Sequence, residues 1–220
     1  MVLKEGHPYG LLVGFALPGN PDAVPEEVLE RLHPAEREEA LRQRGYRQPE
    51  WVGGRLAANA AIRLLGLQPG PVLSDARGAP LPPPGVRLSI SHKRSLVVAL
   101  AARAENGDIG VDLEDLSPAR PDVASAVLTG AEQLEVGALP EDRRWTAILL
   151  RFSLKEAIYK AVAPRVQRMI GFEEADVALH PDGSADLKLR LRPEEPSPRL
   201  EGRYTWMNSQ VLTMVRARWP

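Results

Sequence analysis

The chain has 220 residues, enough to bury a substantial core as one large domain or two small ones. Its formal net charge of −1 argues against a protein built to neutralise nucleic-acid phosphates, and the lack of cysteine leaves out disulfides, thiolate metal sites and cysteine nucleophiles. The longest purely apolar run, residues 96–102, is too short to cross a bilayer, and the first residues lack the order of a signal peptide, so a soluble cytoplasmic protein is expected.

Residues 11–17 are apolar except for Gly14 and read as a buried strand, followed by a turn-rich connection over 18–25. His33-Pro34-Ala35-Glu36 places proline at a first helical position with acids in the opening turns, as a helix dipole favours. Arg37, Arg42, Arg44 and Arg47 on this helix and its continuation read as a solvated face. A second helix is predicted over 50–65, ended by Gly66. Arg55 near its start reads equally as a surface stem or an anion contact. Prolines 80, 82, 83 and 84 make residues 74–85 an irregular, partly extended loop. Residues 86–91 and 96–103 read as two strands joined by a tight turn at Lys93-Arg94, with His92 at the end of the first. Asn106-Gly107 is a strong turn signal between apolar runs and divides the chain into 1–106 and 107–220.

Gly110-Val111-Asp112-Leu113-Glu114 comes next. Strand alternation points Asp112 and Glu114 to one face and Val111 and Leu113 into a core. Two like charges side by side need a cation, and Mg²⁺, a hard ion that commonly sits on one or two carboxylates plus a substrate phosphate, is the expected one. The bland alternative is two exposed acids on an edge strand. A short helix is expected around 123–128, then a long one from near Glu141 to Ala163, stopped by Pro164. Along the long helix Leu150, Leu154, Ala157, Ile158 and Ala161 form a buried stripe, with Glu156 and Lys160 four apart on its flank. Alone this is a surface ion pair; with the upstream acids it becomes a third metal ligand and a phosphate-binding lysine. Residues 169–172 form an apolar loop. The tail is β: a strand over 175–179, a turn at Asp182-Gly183, an alternating strand through Leu187, Leu189 and Leu191, then strands over 204–207 and 211–216.

Gly110-Val111-Asp112-Leu113-Glu114 followed by Phe152-Ser153-Leu154-Lys155-Glu156-Ala157-Ile158-Tyr159-Lys160 resembles the paired signature of the 4'-phosphopantetheinyl transferases, in the single-chain group that activates surfactin-type and enterobactin-type synthetases. Ser89-Ile90-Ser91-His92 and Gly54-Arg55-Leu56-Ala57-Ala58 agree with it, and Phe152 in place of tryptophan is similar to the enterobactin-type members. Residues 1–50 and those past Phe172 resemble the family only loosely. The resemblance implies an α+β fold of two similar, pseudo-twofold-related subdomains, each a mostly antiparallel sheet packed with helices, with the active site in the cleft between them. Residues 1–106 would be the coenzyme A nucleotide side and 107–220 would carry the metal carboxylates and the catalytic helix.

The implied reaction is Mg²⁺-dependent transfer of 4'-phosphopantetheine from coenzyme A to a serine of an acyl- or peptidyl-carrier protein, releasing adenosine 3',5'-bisphosphate, in polyketide, nonribosomal peptide or siderophore synthesis. Asp112, Glu114 and Glu156 would hold the metal. Lys160, with Lys155 nearby, would neutralise phosphate oxygens, and Glu156 would be ligand, general base or both. Arg55, Arg77 and His92 are the implied contacts to the nucleotide. The family's glycine-lysine-proline element is matched here by Gly78-Ala79-Pro80, so its lysine is missing at Ala79 and Arg77 stands two residues away. Carrier proteins of acidic character would meet an apolar patch with a basic rim, for which Met169, Ile170 and Phe172 with Arg165 and Arg168 are the candidates. A monomer with no nucleic-acid or membrane partner is expected. A metal-dependent phosphohydrolase or nuclease using the same acids, and a non-catalytic carrier-protein or coenzyme A binding module, are the alternatives.

Overall fold

The computed structural model describes residues 3–220 and falls into two compact units, the chain passing from one to the other between Ile109 and Gly110. Each unit is an antiparallel sheet covered by one long helix, which makes the fold α+β as expected. Among the described residues no helix is long and apolar enough to cross a membrane.

The first unit opens with a hairpin of β1 (Leu3–His7) and β2 (Gly10–Ala16). Three helices follow: α1 (Glu26–Leu29), α2 (Pro34–Arg42) and α3 (Arg47–Leu64). A two-residue hairpin, β3 (Leu73–Ser74) with β4 (Pro80–Leu81), precedes β5 (Val86–Lys93) and β6 (Leu96–Arg103). The main sheet has the order β1-β2-β6-β5, and α3 packs on β2, β6 and β5. Gly53 and Gly54 permit that packing: a Cβ at Gly53 would lie 2.7 Å from Leu17 and 3.0 Å from Val97, and one at Gly54 3.2 Å from Ile90. Proline at the head of α2 is joined by a capping box, His33 accepting from the amide of Ala35 while Glu36 accepts from the amide of His33. The Glu36 carboxylate is fully buried and also accepts from Asn59 and from the amide of Val72, so one side chain ties α2, α3 and the segment entering β3 together.

The second unit takes most of β7 (Asp108–Asp115), then α4 (Ala124–Val127), α5 (Gly130–Gly137) and the 26-residue α6 (Glu141–Val166). β8 (Ala175–Leu179), β9 (Ser184–Leu189), β10 (Arg199–Met207) and β11 (Gln210–Arg218) complete a sheet of order β7-β11-β10-β9-β8. The predicted apolar stripe of α6 is its core face, with Leu154, Ala157, Ile158 and Ala161 packed against Val177, Val215 and Ala217. Contrary to expectation, α6 does not stop at Pro164 but runs on to Val166. Proline this close to a helix end removes a single amide from the ladder, and the turn is closed by Gln167 in the left-handed region, its amide bonded to Ala163.

Candidate functional site

Gly110 is in β7 because nothing larger fits: a Cβ there would collide with the backbone carbonyl of Ala157 in α6. That close approach lays the acidic strand against the helix. Val111 and Leu113 are wholly buried, and Asp112 and Glu114 are also withdrawn from solvent, at 4% and 7% exposure. Burying a carboxylate is costly unless its oxygens are satisfied. For Asp112 the partners come from α6: Oδ1 accepts from Lys160 Nζ at 2.6 Å and Oδ2 from Ser153 Oγ at 2.8 Å. Lys160 Nζ also donates to the Val111 carbonyl at 3.1 Å while its side chain remains 27% exposed. Behind Ser153 lies Thr213 of β11, with 2.9 Å between the two hydroxyl oxygens.

Asp112 and Lys160, 48 residues apart in sequence and expected on a metal and on phosphate oxygens respectively, are brought into direct contact. Glu156 is half-buried one turn before Lys160 on α6. The expected metal triad is not gathered: among the described residues no three acid or histidine side chains are arranged to hold a metal ion. The cation standing against Asp112 is the lysine ammonium.

Lys155 departs furthest from expectation. Instead of joining Lys160 it points into the protein, where Nζ donates to Glu132 Oε2 at 2.6 Å and to the carbonyls of Val127 and Phe172 at 2.8 and 3.0 Å. All three donors of the ammonium are used, and none is left for a phosphate. Burial pushes its pKa down, with the hydrogen bond to Glu132 acting in the opposite sense. Glu132 in turn accepts from the amides of Thr129 and Val177, so one carboxylate caps α5 and joins it to α6 and β8.

In the first unit a cavity of about 230 Å³ is lined by Trp51, Arg55, Ser74, Gly78, Ile90 and His92, among others. Arg55 is buried, stacked 4.0 Å over the Trp51 ring, with Nε bonded to the Val72 carbonyl at 3.0 Å and Nη2 to Ser74 Oγ at 2.6 Å. Burial lowers its pKa to about 10, with nearby Glu36 working the other way, so it stays cationic at neutral pH. His92 is half-buried, its Nδ1 3.5 Å from Glu50, itself a wall residue. Arg77 is exposed on the β3–β4 turn, its amide held by Asp75, and is not a lining residue, although its neighbour Gly78 is. The sequence reading brought Arg55 and His92 together but passed over Trp51, whose four-residue spacing from Arg55 on a helix was the available signal.

The expected basic rim around residues 169–172 is also different. Every donor of Arg168 is committed: Nε to Glu195, Nη1 to Glu174 and the Met169 carbonyl, Nη2 to both acids. It pins two loops together and offers no open charge. Phe172 packs against Phe152, with ring centroids 5.7 Å apart, and Met169 alone of the apolar three is exposed.

Comparison with known proteins places both units in one family. Residues 108–215 match the 4'-phosphopantetheinyl transferase superfamily and residues 36–102 match the 4'-phosphopantetheinyl transferase N-terminal domain. The chain is 33% identical to the 4'-phosphopantetheinyl transferase Svp of Streptomyces mobaraensis, over 82% of this chain and 73% of that protein. It is 34% identical to enterobactin synthase component D of Salmonella typhi, over 78% of this chain and 72% of that one. A solved holo-(acyl-carrier-protein) synthase from Bacillus anthracis, in complex with CoA (3',5'-ADP), shares 19% identity over 50% of this chain and 94% of that one, with a TM-score of 0.41, a likeness too weak to argue from. On the strength of the two matched segments and of relatives aligned along most of its length, the chain belongs to the 4'-phosphopantetheinyl transferase superfamily of enzymes.

Proposed function

We propose that the protein transfers the 4'-phosphopantetheine group of coenzyme A to a serine of acyl- or peptidyl-carrier proteins, with Mg²⁺, releasing adenosine 3',5'-bisphosphate. The observation that carries the reading is the Lys160–Asp112 contact, a partly exposed ammonium fixed at 2.6 Å on a buried carboxylate. In the transfer the serine oxygen bonds to the β-phosphorus of coenzyme A. The bond from that phosphorus to the bridging oxygen breaks, and the bisphosphate leaves with the electron pair. Catalysis of such a step is mainly positioning and neutralisation of moving charge. Lys160, held by Asp112 and the Val111 carbonyl, meets phosphate oxygens as charge builds on them. Glu156 takes the serine proton, directly or through a water.

The donor set suits a hard cation, since Asp112 and Glu114 share a strand face and Mg²⁺ commonly needs only one or two carboxylates beside substrate phosphates. Asp112 and Glu114 would hold it beside the substrate's phosphates, and when bound it would supply Lewis-acid neutralisation of the diphosphate. In the first unit, Arg55 and His92 at the cavity contact the nucleotide end of coenzyme A, remote from the reacting phosphorus. The test is mass spectrometry of several apo-carrier proteins incubated with coenzyme A and Mg²⁺. A phosphopantetheine mass increment on the carrier serine is expected, and hydrolysis of coenzyme A without any increment would overturn the reading.

A further inference from the structure

We propose that Thr213 is a positioning residue for the transfer, acting through Ser153 on Asp112, an inference that rests on the function proposed above. Thr213 and Ser153 are fully buried, Asp112 nearly so, and the three come from β11, α6 and β7. Proton counting sets the direction of the chain. An ionised carboxylate only accepts, so the single Ser153 hydroxyl proton goes to Asp112 Oδ2, at 2.8 Å. The Thr213 proton must then go to Ser153, whose hydroxyl oxygen lies at 2.9 Å and whose carbonyl oxygen at 3.0 Å. Both possible acceptors belong to the same residue. The three side chains thus form one buried chain in the order Thr213, Ser153, Asp112.

The consequence falls on Asp112. A serine within a helix can instead turn its hydroxyl to the carbonyl four residues back, here that of Leu149, and Ser153 would then abandon Oδ2. The Thr213 hydroxyl, 2.9 Å behind Ser153 Oγ, keeps the serine hydroxyl on the Asp112 side. With Oδ2 fixed from behind, Oδ1 faces Lys160. A carboxylate free to rotate would carry the ammonium with it, and small misplacements of a positioned group are expensive in rate. Valine at 213 keeps the shape of threonine and removes only the hydroxyl, whereas serine keeps the hydroxyl and removes a methyl.

Steady-state kinetics on wild type, Thr213→Val, Thr213→Ser, Ser153→Ala and the Ser153→Ala/Thr213→Val double variant test this, with coenzyme A, Mg²⁺ and an apo-carrier protein. Thr213→Val is expected to lower kcat about tenfold with KM for coenzyme A within about twofold, and Thr213→Ser to restore kcat to within about twofold. If Thr213 acts only through Ser153, adding Thr213→Val to Ser153→Ala costs no further rate, an outcome that a merely structural role would not give. A second readout is thermal melting: coenzyme A with Mg²⁺ should raise the melting temperature of Thr213→Val as much as that of wild type, since binding is kept and only the rate falls. Wild-type kcat in Thr213→Val, or multiplicative losses in the double variant, overturns the positioning role while leaving the transfer intact. Should Thr213→Val fail to fold, an undiminished kcat in Ser153→Ala overturns the role equally. A wild-type protein that transfers nothing overturns the proposed function and this inference together.

Discussion

Replacing Lys155 by methionine separates two duties that its sequence context does not distinguish. Its side chain is 1% exposed and that of Glu132 3%, with 2.6 Å between ammonium and carboxylate. Methionine fills a similar volume but leaves the Glu132 charge buried, supported only by two backbone amides and by Arg151, whose Nε is 4.0 Å away. Removing one partner of a buried pair typically costs about 3–5 kcal/mol, because the remaining charge is uncompensated. Hydrogen exchange reads this in the unit concerned. At one decade per roughly 1.4 kcal/mol, the slowest α6 amides should exchange about two to three and a half orders of magnitude faster. Adding Glu132→Gln, which removes the stranded charge but keeps an oxygen for the Val177 amide, should recover part of the loss. KM for coenzyme A, measured under conditions where the variant is folded, should stay near the wild-type value. The opposite pattern, unchanged exchange with KM raised tenfold, would refute the reasoning and return Lys155 to the phosphate.

Gly110→Ala should destabilise by ~3 kcal/mol in denaturant titration, since the new methyl meets backbone rather than a yielding side chain; a loss below 1 kcal/mol would show that β7 and α6 are not so close. Arg168 holds Glu195 down to about 2 and lowers Glu174 as well, so both acids contribute stability that is complete above the ordinary value of 4.5 and is lost as pH falls towards 2. Acid titration of wild type should therefore show a fall in stability in that window that Arg168→Gln lacks, and coincident curves would contradict the assignment. Lys160→Ala should lower kcat by about 10²-fold at saturating coenzyme A, whereas His92→Ala should raise KM about tenfold with kcat little changed; similar effects on kcat from both would collapse the distinction between reacting and remote contacts.

Elements whose burial alternates or repeats were legible in the sequence. β2, β5, β6 and the β8–β9 hairpin fall where period-2 patterns and Gly-containing turns place them, and α3 and α6 where apolar residues recur at helical spacing. β1 escaped because its middle residues, Lys4, Glu5 and Gly6, are exposed on a sheet edge and show no apolar face. α5 escaped for a similar reason. Its exposed Leu134 breaks the stripe, and the informative feature was Thr129 with Glu132 three residues later, a capping box in the middle of a turn-rich stretch. That Asp112 and Lys160 belong to one site was legible as a pairing of motifs, but their direct contact and the support from Thr213 were not. A lone threonine in an apolar strand carries no pattern, and its partner Ser153 lies 60 residues away.

The two lysines of the signature show how far helical geometry alone could have gone. Five residues advance an α-helix by about 140°, so Lys155 and Lys160 cannot serve the same spot on one helix face. Four residues advance it by only about 40°, which groups Glu156 with Lys160 on one side and Arg151 with Lys155 on another. The first pair lies on the half-exposed face where Lys160 meets Asp112; the second lies within the protein, where Arg151 and Lys155 both approach Glu132. The deciding residue was therefore Glu132, the acid that makes an inward cation tolerable. Its role as a capping acid is written locally, but its reach across to α6 and β8 is a property of the packing. The signature thus holds two cations with separate physical tasks: Lys155 secures α6 to α5 and β8 from within, and that anchorage keeps the opposite face of α6 in register with β7, where Asp112 and Lys160 meet.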